Sequence, residues 1–124
     1  MMFRRGGDRM HKIKSKEDFI IITGSNIIKN DEAKLICEEL MIELANGHIT
    51  NLILDVQSLD LDKSKFDIFI NYLSRMNLNC VALVLPKLIS SLKFKLWKRK
   101  YNNYLELKQF NNLNEAKQWI KEGS

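Results

Sequence analysis

The chain has 124 residues, 45% of them hydrophobic and 28% charged, with five Gly, one Pro and two Cys. That is the size and balance of one globular domain, and it excludes collagenous, linker-like and disulfide-stapled chains. The net charge is +5, and no apolar run approaches the ~20 residues needed to span a bilayer.

Residues 1–10 are expected to be a disordered basic tail, with 11–124 forming one domain. Met1–Arg9 starts basic, but no apolar segment follows, so it is not a secretory signal. Arg5-Gly6-Gly7-Asp8-Arg9 is what a purine-rich, ribosome-binding-site-like stretch would encode. The native product is therefore expected to begin at Met10, which N-terminal peptide mass spectrometry would check.

His11–Lys14 reads as a short strand pairing with Phe19-Ile20-Ile21-Ile22-Thr23, a β-branched run closed by a turn at Gly24-Ser25-Asn26. Asn30 is a good N-cap, with Asp31 and Glu32 in the first turn where the helix dipole favours acids. Ala33, Ile36, Cys37, Leu40, Met41 and Leu44 form one apolar face, and Asn46-Gly47 stops the helix. Leu52-Ile53-Leu54-Asp55-Val56, too short for a helix and bounded by polar residues, reads as a central strand, with a loop at 57–61. Asp62 can cap a second helix buried through Phe66, Phe69, Ile70, Leu73 and Met76.

Cys80-Val81-Ala82-Leu83-Val84-Leu85 is a buried strand stopped by Pro86. Residues 87–101 read as a helix with Ile89, Leu92 and Leu96 inward. Tyr104–Phe110 alternates like a strand. Asn112 with Glu115 three residues on resembles a capping box for a last helix, buried through Leu113, Ala116 and Ile120 with Trp119 at its margin. Strands alternating with helices imply parallel pairing through right-handed crossovers.

The charge is polarised along the chain. Residues 1–16 hold six Lys/Arg against Asp8. Residues 17–67 hold four lysines against eleven acids, and 68–105 hold seven Lys/Arg and no acid. Such asymmetry steers oppositely charged partners, although solvated helix faces produce the same pattern.

The C-terminal run Phe110-x-x-Leu113-x-Glu115-Ala116-x-x-Trp119-Ile120 resembles the end of SpoIIAA-like STAS-domain proteins. Val81-Ala82-Leu83-Val84 is similar to that family's third crossover strand. Leu52-Ile53-Leu54-Asp55-Val56 is similar to its leucine-aspartate strand, which leads into the functional loop. The resemblance covers residues 11–122. It implies an α/β fold, a single SpoIIAA-like (STAS) domain with a mostly parallel sheet of four to five strands and about four helices. It also implies a non-catalytic module that docks on regulators, with lipid or apolar-ligand binding in some of its branches.

In the anti-sigma-factor antagonists of that family, a Ser in an Asp-Ser-Ser-Gly motif opening the second helix is phosphorylated and releases the partner. The matching segment is Asp62-Lys63-Ser64-Lys65-Phe66. Ser64 falls on the first Ser, Lys65 on the phosphoacceptor, and the Gly is absent. Ser64 is therefore expected to be exposed in the first turn of the second helix and unmodified in cells.

No constellation for catalysis stands out. His11 and His48 have no Cys or carboxylate at metal-ligand spacing, and no phosphate loop, nucleophile elbow or HExxH occurs. Cys37 and Cys80 read as core residues of a reduced, cytoplasmic protein. Asp55, Asp60 and Asp62 cluster where parallel sheets place ligands, but caps and turns account for the same three residues. The expected function is a regulatory, protein-binding module without cofactor or metal, with a carrier for a lipid or other apolar ligand, acting at membranes, as the alternative. Its expected switch or partner loop is Asp55, Ser58, Asp60, Asp62 and Ser64. Lys93, Lys98, Arg99 and Lys100 are the expected contacts for an anionic surface, an acidic protein or a membrane. Nucleic acid is not expected, because the basic–aromatic strands of sheet-based RNA readers are missing.

Overall fold

The computed structural model describes residues 11–26, 30–45, 49–59, 66–76, 78–84, 91–101 and 103–122. The elements run β1 (His11–Ser15), β2 (Ile20–Asn26), α1 (Asn30–Ala45), β3 (Asn51–Leu59), α2 (Phe66–Leu73), β4 (Cys80–Val84), α3 (Ser91–Tyr101), β5 (Glu106–Phe110) and α4 (Leu113–Lys121). The expected tail, residues 1–10, lies outside the described residues.

The five strands form one sheet in the order β1-β2-β3-β4-β5. β1 is antiparallel to β2, and every other pair is parallel. This is the single α/β domain, mostly parallel, that the alternation of elements implies. Apolar residues on alternate positions of the central strands face opposite sides. Ile20, Ile22, Leu52, Leu54, Val56, Val81, Leu83 and Leu107 join Ala33, Ile36 and Leu40 of α1, Phe69, Ile70 and Leu73 of α2, and Tyr101 of α3 in one core. Ile21, Ile53, Ala82 and Val84 pack on the other side against Ala116 and Ile120 of α4. Covered on both faces, Leu54, Leu83 and Val84 have no exposed surface.

Two expected boundaries move together. Gly24-Ser25-Asn26 does not close β2, and residues 57–59 are not loop: β2 runs to Asn26 and β3 to Leu59. Thr23 pairs with Asp55 but Ser25 pairs with Ser58, so β3 carries one extra residue there. A bulge of this kind lets pairing continue past the apolar run, because the ladder is made by the backbone and not by side-chain polarity. Similarly, β5 begins at Glu106 and not Tyr104. The amides of Tyr104 and Leu105 both donate to the Tyr101 carbonyl, finishing α3 before the strand starts.

Two side chains expected inside are outside. Met41 is 56% exposed because the buried stripe of α1 centres on Ala33, Ile36, Cys37 and Leu40, and Met41 lies about 100° round the helix from Leu40. Leu96 is 57% exposed while Tyr101 is buried. Five residues separate them, about 140° of helix, so anchoring Tyr101 turns Leu96 outward.

At α4, Asn112 is extended and its Oδ1 accepts the Glu115 amide at 2.9 Å, half of the expected capping box. The edge strand β1 carries exposed Lys12 and Lys14, which discourage edge-to-edge pairing. Ser15 Oγ donates to Glu43 Oε1 at 2.6 Å and ties β1 to α1.

Candidate docking surfaces

Of the expected loop residues, Asp55 is placed most fully. It sits half-buried at the middle of β3, in register between Thr23 of β2 and Val84 of β4. Ile53, two residues earlier, packs against α4, so strand alternation puts Asp55 on the α4 side. Ser58 lies within β3, past the bulge, opposite Ser25. Asp60, Asp62 and Ser64 lie outside the described residues.

The basic set is on α3. Lys98, Arg99 and Lys100 are exposed in its last turn, where cations complement the helix dipole. Lys93 belongs to the same helix. The Lys100 ammonium lies 5.3 Å from the centroid of the Tyr101 ring. Lys95 and Leu96 extend the exposed face one turn back. The structure thus presents Lys98, Arg99 and Lys100 together on one element, apart from Asp55 on β3.

The chemistry of the described side chains is quiet. Among the described residues, no group of three or more His, Cys, Asp or Glu is placed to hold a metal ion. Both cysteines are buried, and neither is in a disulfide. Burial, reinforced by the neighbouring Glu38 carboxylate, pushes the Cys37 thiol up to about 12. Burial also raises the Cys80 thiol, with help from Glu106, whose Oε1 accepts from Cys80 Sγ at 3.8 Å. A thiol needs its anion to attack or to bind metal, so both are inert near neutrality.

Two features escaped the sequence reading. An open groove of about 830 Å³ runs between α1 and α2, lined by Cys37, Met41, Leu44, Ile49, Tyr72 and Met76 and rimmed by Lys34, Glu38 and Arg75. It lies at the end of α1 and before β3, at the amino ends of the parallel strands and away from Asp55. The outer side of α1 also exposes Leu35 (42%) and Ile42 (61%). Their seven-residue spacing, opposite the buried stripe, was the available signal.

No family model matches the chain, and no curated protein matches it. Solved structures do. An uncharacterised protein of the DUF3478 family from Shewanella loihica PV-4, with a SpoIIAA-like fold, superposes with a TM-score of 0.66 at 16% identity, covering 89% of this chain and 91% of that one. The anti-sigma factor antagonist SpoIIAA in its unphosphorylated form gives 0.62 at 11% identity, over 92% and 99% of the two chains. A Thermotoga maritima protein named as a candidate anti-sigma factor antagonist gives 0.57 at 17% identity, over 90% and 95%. The backbones superpose over nearly the whole length of each chain, around a mostly parallel five-stranded sheet: this chain has the SpoIIAA-like fold.

Proposed function

We propose that this chain is a regulatory STAS-like module that acts by docking on a protein and carries out no chemistry of its own. The observation that carries this reading is the agreement in fold with anti-sigma factor antagonists over nearly the whole chain. The raised thiols of Cys37 and Cys80 support it. Lys98, Arg99 and Lys100, exposed on one turn, favour a partner with an anionic surface. The connection from Asp55 through Ser64 is the second proposed contact, acting without a phosphoswitch because Lys65 stands where the phosphoacceptor would be. Reversing Lys98 and Lys100 to Glu is expected to abolish capture of the partner from native extract at low salt without lowering the melting temperature. Unchanged capture would move the contact to the Asp55–Ser64 segment.

The groove between α1 and α2 supports a second reading, a carrier for a lipid or other apolar ligand. Ligand pockets start at roughly 300 Å³, and this groove exceeds that with a largely apolar lining. Native mass spectrometry of the purified protein, with organic extraction, would show a bound ligand displaced by Met41→Trp. A ligand-free protein with no affinity for fluorescent fatty acids would remove this reading.

A further inference from the structure

Four of the five large hydrophobic side chains most exposed among the described residues lie on two helices: Leu35, Met41 and Ile42 on α1, and Leu96 on α3. The same two helices carry opposite charge. α1 has Asp31, Glu32, Glu38, Glu39 and Glu43 against Lys34 alone. α3 has Lys93, Lys95, Lys98, Arg99 and Lys100 and no acid. Leu35 and Ile42 are two turns apart, on the side of α1 opposite its buried stripe, with Glu38 and Glu39 flanking them. Leu96 is three residues from Arg99, with Lys95 and Lys100 beside it. Each helix therefore has an apolar crest with charge of one sign around it.

Both helices cover the same face of the sheet, on opposite flanks. α1 joins β2 to β3 and packs on α2; α3 joins β4 to β5 and packs on β5. Both link parallel strands, so they run in the same direction.

We infer that the surface recognised by α3 is α1 of a second copy of this chain, in a symmetric dimer whose helical layers stack face to face. The symmetry follows from the charges. A two-fold axis parallel to the helices, passing beneath α2, sets each α1 against the other copy's α3, so both contacts pair acid with base around an apolar crest. A two-fold axis across the helices would set α1 against α1 and α3 against α3, like charge on like. The first arrangement is closed and uses one patch on each copy, the commonest form of soluble oligomer. α1 is about 24 Å long and α3 about 16 Å, so each contact can run along about three turns of helix. The inference rests on the reading of α3 as a contact for an anionic surface, and it names that surface.

Charge-swap pairs test it. One variant carries Lys95→Glu and Arg99→Glu, the other Glu38→Lys and Glu39→Lys; circular dichroism confirms that each folds. By sedimentation equilibrium at low salt, wild type should be dimeric and weaken as salt rises. Each variant alone should lose on the order of 100-fold or more in dimer affinity, because both contacts then oppose like charges. An equimolar mixture should regain the dimer, since both contacts are complementary again. Ile42→Ser with Leu35→Ser, which leaves the charges in place, should also weaken it. A wild type that stays monomeric, or a mixture that does not recover, overturns the dimer. If that monomer still loses its protein partner on Lys98→Glu with Lys100→Glu, the docking reading survives and only the second copy is excluded. If it instead binds vesicles of acidic lipid, α3 serves a membrane and the dimer is likewise excluded.

Discussion

One face of the sheet carries α1, α2 and α3, while the other carries α4, and the buried residues divide to match. The three-helix side buries eighteen of the described residues, many of them large. The α4 side buries six, among them Ala82 and Ala116. Around that smaller core sit Phe19, Phe110, Leu113 and Trp119, only partly covered. Phe110 and Trp119 stack tilted with centroids 5.5 Å apart, and the exposed Lys108 lies 5.6 Å and 5.7 Å from their rings. A single helix on a five-stranded sheet cannot shut its face completely, so aromatic rims and a lysine stem finish the cover. The difference teaches where stability resides. The thick side holds the fold together and presents a broad layer of helices outward; the thin side is a smaller, locally closed seam.

The largest expected effect tests the thick side. Leu54→Ala should destabilise by about 2–5 kcal/mol, since the strand beneath α1 and α2 cannot collapse onto a deleted side chain. A loss under about 1 kcal/mol in denaturant melts would mean that Leu54 is not central. Ile120→Ala, on the thin side, should fall near the low end, about 2 kcal/mol, because α4 follows the last strand and can shift to close the gap. Equal losses at the two sites would erase the contrast.

A pH titration sharpens it further. The Cys37 thiol, on the thick side, is raised in the folded state, so the folded chain holds its proton after the unfolded chain has released it. Stability is unaffected below the ordinary thiol range and falls as pH climbs from about 9 toward 12, by about 1.4 kcal/mol per pH unit at most. Cys37→Ala should flatten that part of the slope; urea midpoints of the two proteins that run parallel from about pH 8 to about pH 11 would show Cys37 silent. Removing the α4 cap with Asn112→Ala should cost about 1 kcal/mol, read as a lower melting temperature. Smallest of all, Lys98→Glu with Lys100→Glu should leave the melting temperature nearly unchanged, since both side chains stand in solvent. A large drop would place them in the fold's own packing.

Much of this architecture could be read before any coordinates. The runs Ile20–Ile22, Leu52–Leu54 and Val81–Val84 are uniformly apolar because parallel strands are covered on both sides, and that signal survives in one dimension. Asn112 and Glu115 mark a helix start through contacts three residues apart, equally local. The segments misjudged were those decided by neighbours distant in sequence. Ser25, Asn26, Ser58 and Leu59 become strand because each supplies the other's ladder, which polarity does not announce. Leu96 looks like a core residue until Tyr101 takes the anchoring position.

The candidate contacts divide the same way. The basic run of α3 and the acidic run of α1 are plain in the sequence as charge. Their exposure, their shared side of the sheet and the apolar crests between them are not. Sequence alone determined the order of elements, the buried strands and the sign of charge on each helix, because periodicity, capping and composition act over a few residues. Only the tertiary structure decided the groove between α1 and α2, the bulge that lengthens β3, and which side of α1 and α3 meets solvent. Each of those depends on how one element is rotated against another, and that rotation is settled by packing across the whole core.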